Sequence, residues 1–192
     1  MKSRFAVPAV IALFVVATYP GAVRAADNYK VDSVHSTVVF KVDHAGIAPF
    51  YGMFNQPTGT ISLDKADPGK STFAFELKID NVSTGNEKRD AHLKNADFFD
   101  AKQFPTISFK SKSVKTDGDK FQVTGDLTMH GVTKEITLAL NKTSEKEVPK
   151  LGARTGWTTE TTIKRSDYGM TGFAGMLGDE VTVMIALQGV KS

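Results

Sequence analysis

From Thr37 onward, apolar and polar residues alternate with a period of two. Val38, Phe40 and Val42 alternate with Thr37, Val39, Lys41 and Asp43, and Phe73, Phe75, Leu77 and Ile79 with Ala74, Glu76 and Lys78. Successive side chains of a strand point to opposite faces, so this spacing is that of half-buried β-strands. It recurs in Ile107/Phe109, Phe121/Val123/Leu127, Ile136/Leu138/Leu140 and Val181/Val183/Ile185/Leu187. The pattern predicts a short strand near Tyr29 and eight long ones: Thr37–Asp43, Gly52–Leu63, Ser71–Ile79, Thr106–Val114, Phe121–Met129, Lys134–Asn141, Leu151–Lys164 and Val181–Lys191. Asp117-Gly118 and His130-Gly131 read as tight hairpin turns, which makes the strands they join antiparallel.

One helical signal interrupts the strands. Thr84-Gly-Asn-Glu87 has the form of a capping box, in which the Thr oxygen takes an orphan amide and the Glu reaches back; the helix it opens is expected to run to about Asn95. Pro105 then holds Phe104 extended and opens the next strand. No linker, repeat or low-complexity stretch divides the chain. The expected fold is all-β, a single antiparallel eight-stranded barrel with one short helix inserted. Such a barrel is either filled by side chains or holds one small ligand. Periodicity alone leaves a two-sheet sandwich with a packed core equally open.

Two segments point toward a cavity. YGMTGFAGML, Tyr168 to Leu177, sets Met170, Phe173, Met176 and Leu177 among three glycines, and APFYGMF sets Phe50, Tyr51, Met53 and Phe54 close to Gly46 and Gly52. Read as loops, these are rich in side chains that solubility does not require. They serve either as a plug folded under the barrel or as the lining of a mouth, where Met supplies adaptable contacts.

Several stretches together resemble the YceI-like family of secreted, lipocalin-like proteins that bind polyisoprenoid lipids. They are YKVDSVHSTVVFKVDH from Tyr29, GMF at Gly52–Phe54, STG at Ser83–Gly85, RDAHLKNADFFDAKQFPTISFKS from Arg89, GDLTMHGVTK ending at Lys134, and RSDYGM at Arg165–Met170. The resemblance covers essentially the whole chain after residue 25. It implies an extended lipocalin-like barrel over residues 26–192, located in the periplasm or secreted, whose lumen takes a polyisoprenoid, an isoprenoid quinone or a similar amphiphile. The implied role is to carry or sequester that lipid without catalysis, and the same lumen would suit other lipophilic compounds such as hydrophobic antibiotics. The implied partners are this lipophilic small molecule and, transiently, a membrane or a lipid donor or acceptor; the oligomeric state, a dimer included, stays open. On this reading the chain of the ligand meets inward positions Phe40, Val42, Phe75, Ile107, Phe109, Met129, Trp157 and Ile163. Phe50, Met53, Phe54, Met170, Phe173, Met176 and Leu177 then form the mouth, with the head group by Met170, Phe173 and Met176.

The first residues agree on location. Lys2 and Arg4 precede an apolar run from Ala6 to Tyr19, a break at Pro20-Gly21 and small residues ending in Val23-Arg24-Ala25. This is the layout of a secretory signal peptide over residues 1–25. The run is shorter than the roughly 18 residues a spanning helix needs. Cysteine is absent, so neither a lipoprotein acceptor nor a disulfide framework exists, and the core must supply stability. Removing Lys2, Arg4 and Arg24 leaves 21 basic against 21 acidic residues. With that balance and no basic run carrying interleaved aromatics, nucleic acid is not an expected partner.

Catalytic and metal patterns are weak. His35 lies near Asp32, Ser33 and Ser36, yet neither serine sits in a nucleophile elbow, and neighbours on a strand point apart. Asp90 and His92 are two residues apart on the expected helix and do not share a face with which to join Asp97 at a metal; tying the helix to the barrel is the expected role of Arg89, Asp90 and His92, and tying the 168–177 loop that of Arg165 and Asp167. The glycines at 172, 175 and 178 open no helix and are not a nucleotide fingerprint. No metal or cofactor is expected beyond a bound lipid. The alternatives to carriage are an enzyme acting on a barrel-bound lipid and a filled-core domain that serves a partner.

Overall fold

A computed structural model describes residues 26–192, so the expected signal peptide lies outside the described residues. The strands are β1 (Asp27–Val31), β2 (Thr37–His44), β3 (Ala48–Phe54), β4 (Thr58–Leu63), β5 (Thr72–Lys78), β6 (Val82–Ser83), β7 (Thr106–Asp117), β8 (Lys120–Met129), β9 (Val132–Val148), β10 (Gly152–Lys164) and β11 (Leu177–Lys191), with helix α1 (Glu87–Leu93) between β6 and β7. Eight antiparallel strands close in the order β1-β4-β5-β7-β8-β9-β10-β11 and back to β1. The long β11 makes this possible: one edge pairs with β10 and the other is divided between two neighbours. Its Gly189–Lys191 end pairs with β1, while the stretch from Leu177 to Ala186 pairs with β2, from which β3 and β6 extend the wall.

The hairpins follow their turn residues. His130 and Gly131 both have positive φ, 51° and 72°, between the paired Met129 and Val132, the requirement of a type I′ turn. The other tight loop is Gly118-Asp119, with positive φ at Gly118 only, one residue later than the Asp117-Gly118 expected from sequence.

Three expectations are corrected. The single strand expected over Gly52–Leu63 is two, β3 and β4, because Gln56 takes φ 55° ahead of Pro57 and breaks the ladder. APFYGMF is therefore strand β3 rather than a loop. The helix starts later than the capping box implies: Asn86 is the N-cap, its side chain accepting from Arg89 N, and Glu87 is the first helical residue. Thr84 instead donates both its amide and its hydroxyl to Asp90 Oδ1, so the residue that ties the chain back is Asp90.

The core divides into two ends. Around β1 the barrel is filled: Phe73, Phe121 and Trp157 pack edge to face, Trp157 lying 5.3 Å from Phe73 and 4.9 Å from Phe121 between ring centroids. A polar lid covers this end. Asp27 pairs with Lys65 at 2.8 Å and Lys191 at 2.6 Å, and Tyr29 Oη donates to Glu145 at 3.0 Å. Hydrogen bonds from Lys191 and Lys65 hold the Asp27 carboxyl down to about 2. Burial, reinforced by the Glu145 carboxylate, pushes the Tyr29 phenol up to about 12. At the opposite end Val38, Phe54, Ile79, Ile107, Met129, Tyr168 and Met170 form a second cluster, with Leu93 and Phe99 packed against it from the α1 segment.

Candidate functional site

An apolar cavity of about 190 Å³ lies inside the barrel, its wall drawn from both clusters. Alternation along each strand places it. Val38, Phe40 and Val42 face inward from β2, Phe75 and Leu77 from β5, Ile107 and Phe109 from β7, Leu127 and Met129 from β8, Ile136 and Leu138 from β9, and Val183 and Ile185 from β11. The α1 segment adds Leu93, Phe98 and Phe99. The surface facing the cavity is wholly apolar. Gly52 leaves room for the Phe40 ring, which lies across it from the neighbouring strand: a Cβ would stand 2.2 Å from the ring, so any larger residue would displace it.

Ten of the residues named from sequence line the cavity: Phe40, Val42, Phe54, Phe75, Ile107, Phe109, Met129, Ile163, Met170 and Leu177. Five do not. Trp157 faces inward but is committed to the filled end against Phe73 and Phe121. Phe50 shares the inward face of β3 yet sits beneath the Arg89 guanidinium, 4.1 Å from the ring centroid. Met53 points outward beside Val39. Phe173 and Met176 are exposed; Phe173 stacks outside Phe98 with centroids 5.6 Å apart and planes 6° from parallel. Sequence reasoning missed Val183, Ile185 and Ile136 as lining residues although they lie in the alternating runs it identified. Phe98 and Phe99 carried no periodic signal, because they follow α1 in an irregular segment.

Arg165 is the one charged residue among those around the cavity. Buried, it donates to the carbonyls of Gly178 at 3.0 Å, Met170 at 2.8 Å, Gly172 at 2.6 Å and Leu177 at 3.3 Å. These four bonds pin the segment from Met170 to Gly178 and turn the guanidinium away from the lumen. Asp167 takes no part in this and pairs with Lys134 at 3.1 Å. Arg89, by contrast, ties the helix start down through Thr84 Oγ1 and Thr84 O, each at 2.9 Å.

The weak catalytic patterns resolve into separate contacts. His35 Nδ1 lies 2.9 Å from Asp32 Oδ2, but Ser36 Oγ accepts from Gln188 N at 3.0 Å and Ser33 has no bond to the imidazole. His92 meets Asp97 at 3.1 Å, while Asp90 faces Thr84. Among the described residues no group of three or more His, Cys, Asp or Glu is placed to hold a metal.

The model of the YceI-like domain matches residues 29–189. The chain belongs to the YceI-like domain family. It is 36% identical to Protein YceI of Escherichia coli O157:H7 over 168 residues, covering 86% of this chain and 88% of that one. Among solved YceI-like structures, the Campylobacter jejuni YCEI protein superposes with a TM-score of 0.67 at 30% identity, over 74% of this chain and 85% of that one. Two more distant relatives share the fold. BcnA of Burkholderia cenocepacia gives a TM-score of 0.74 at 21% identity, over 82% of this chain and 98% of that one. A polyisoprenoid binding domain from Saccharophagus degradans gives 0.66 at 17% identity, over 85% and 98%. Among the described residues no helix is long and apolar enough to cross a membrane.

Proposed function

We propose that this protein is a secreted or periplasmic carrier that holds the hydrocarbon chain of a polyisoprenoid, such as a prenyl lipid or isoprenoid quinone, inside the barrel without transforming it. The observation that carries this reading is the wholly apolar wall of the lumen, with its only charged residue turned away. Such a wall rewards hydrocarbon and offers nothing to a head group, which therefore stays at the mouth. The binding of polyisoprenoid by the Saccharophagus degradans domain supports the same reading.

Magnitudes are consistent with it. At ~0.8 kcal/mol per buried CH₂, each five-carbon isoprene unit contributes up to ~4 kcal/mol, so three offset an association cost of order 10 kcal/mol. A cavity of about 190 Å³ is close to the ~150 Å³ that accommodates benzene, enough for roughly one isoprene unit. A longer chain is taken up by turning the unbranched or aromatic side chains of the wall, among them Met129, Met170, Phe40 and Phe98. A lumen read by shape alone also admits other lipophilic compounds, hydrophobic antibiotics among them; displacement of a fluorescent prenyl probe measures this.

Native mass spectrometry of the processed protein from its own host, followed by solvent extraction, tests the proposal. An isoprenoid bound one to one and recovered unaltered is the expected result. A protein that arrives empty and rejects added prenyl lipids would overturn carriage, and a ligand recovered cleaved or rearranged would indicate an enzyme.

A further inference from the structure

We propose that the mouth end of the barrel docks on a lipid surface by inserting Ile47 and Met176, with Phe173 beside them, so that cargo passes between bilayer and cavity without crossing water. The proposal rests on the carrier reading and names the partner from which such a carrier loads.

Exposed apolar side chains are not spread evenly over this molecule. Of the seven large hydrophobic residues that stand exposed among the described residues, five lie on the β2–β3 hairpin or the 173–176 segment: Ile47 at 84%, Met176 at 54%, Tyr51 at 52%, Phe173 at 46% and Met53 at 41%. Val34 and Leu151 lie elsewhere, in the β1–β2 connection and the β9–β10 turn. The two mouth segments are joined, Ala45 N donating to Met176 O at 2.7 Å and His44 pairing with Leu177. A turn that already places Ala45 and Gly46 at positive φ gains nothing structural from a solvated isoleucine after it. Clustered exposed hydrophobics of this kind mark an interaction surface.

Their position identifies the partner. Two of these side chains adjoin the cavity wall and the third stands at the tip of a hairpin that builds it: Met176 precedes Leu177, Phe173 stacks on Phe98, and Ile47 turns the hairpin whose strand β2 supplies Val42. A surface that feeds hydrocarbon into this wall must itself be apolar at the point of contact. Tyr51, opposite Lys41 on the outer face of the hairpin, suits the interfacial layer where an aromatic body meets a polar tip. Charge does not drive the contact. Lys41, Arg89 and Lys164 at this end are outnumbered by Asp43, Asp97, Asp179 and Glu180, so no net positive charge draws the protein to anionic lipid and screening by salt does not weaken the contact.

Vesicle flotation of the processed full-length protein with purely zwitterionic phosphatidylcholine tests this, at low salt and at about 0.5 M salt. The expected result is flotation that survives high salt. The double substitution I47D/M176D reduces the floated fraction at least about tenfold, because two apolar anchors are lost. Both residues are exposed, so an unchanged melting temperature confirms that the variant folds. The variant also slows transfer of a fluorescent prenyl probe from vesicles to protein, while the single substitution I47D, away from the cavity wall, slows transfer yet leaves equilibrium uptake of probe from dilute aqueous solution as in the wild type. Wild-type protein that stays in solution, or a double variant that floats equally well, would overturn docking. So would a switch from dimer to monomer in sedimentation with flotation unchanged, which would make the patch an interface between copies. Flotation without probe uptake would instead sink the carrier reading and leave docking intact.

Discussion

Both ends of this barrel are built around phenylalanine rings, yet they come out differently. At the filled end Phe73, Phe121 and Trp157 extend from β5, β8 and β10, three separated parts of the wall, and meet edge to face near the axis. At the mouth end Phe40 and Phe54 come from adjacent strands, 5.8 Å apart, and Phe99 joins Phe54 from the α1 segment at 5.6 Å. Those rings cover one side; on the facing strands Phe75 and Phe109 stack on each other, 6.4 Å apart, and Ile107, Leu127, Met129 and Ile136 supply the rest of the wall, which leaves the gap unfilled. Aromatic content does not decide whether a barrel is packed or hollow. What decides is whether the large side chains reach the axis from opposite walls.

Substitutions that treat the two ends alike break or sharpen this comparison. The largest effect is expected from Phe73→Ala or Trp157→Ala, each costing about 3–5 kcal/mol, against about 2 kcal/mol for the half-buried Ile185→Ala beside the existing void. Urea denaturation measures both, and equal losses would mean that the mouth end is as tightly packed as the other. Next comes Val183→Trp, which fills the lumen from beside Phe40, its cross-strand partner. Prenyl-probe affinity is expected to fall at least about tenfold while stability changes by less than about 1.5 kcal/mol, less than overpacking costs in a filled core.

The polar lid of the filled end gives a pH signature of its own, carried by Asp27 and Tyr29. The Asp27 carboxyl is held from 3.8 down to about 2, so its contribution is complete above pH 4 and is lost as pH falls toward 2. Up to about 2 kcal/mol is at stake, and Asp27→Asn flattens that limb of the acid-denaturation profile. On the alkaline side the Tyr29 phenol, raised from 10.0 to about 12, withdraws stability as pH climbs through that window, and Tyr29→Phe removes the dependence. The smallest effect is expected at the helix of the mouth end. Asp90→Ala releases the Thr84 amide and hydroxyl and costs about 1 kcal/mol by thermal melting.

The period-two pattern located nearly every wall strand, since alternation directly reports which side chains face inward. It failed where backbone conformation intervened. Nothing in a composition scan marks Gln56 as the left-handed residue that splits β3 from β4, and a serviceable capping box at Thr84 concealed Asn86, one of several capping residues in the same stretch. The lining residues show the same division. Phe40, Phe75, Ile107 and Ile163 were legible because each sits in phase on a strand, whereas Phe98 and Phe99 enter the cavity from a segment without a period. Trp157 is the instructive miss: its phase is inward, but phase says nothing about height along the barrel axis.

By itself, then, the order of residues determined the strands to within one break and the two-residue β6, the antiparallel hairpins and the apolar inward face, all of which follow from interactions local in the chain. Closure of the sheet through β11, one edge of which is divided between β1 and β2, the height at which each ring meets its neighbours, and the turning of the Arg165 guanidinium onto four carbonyls belong to the tertiary structure. These depend on contacts between residues far apart in sequence, and a pattern read along one strand carries no record of what stands across the barrel from it.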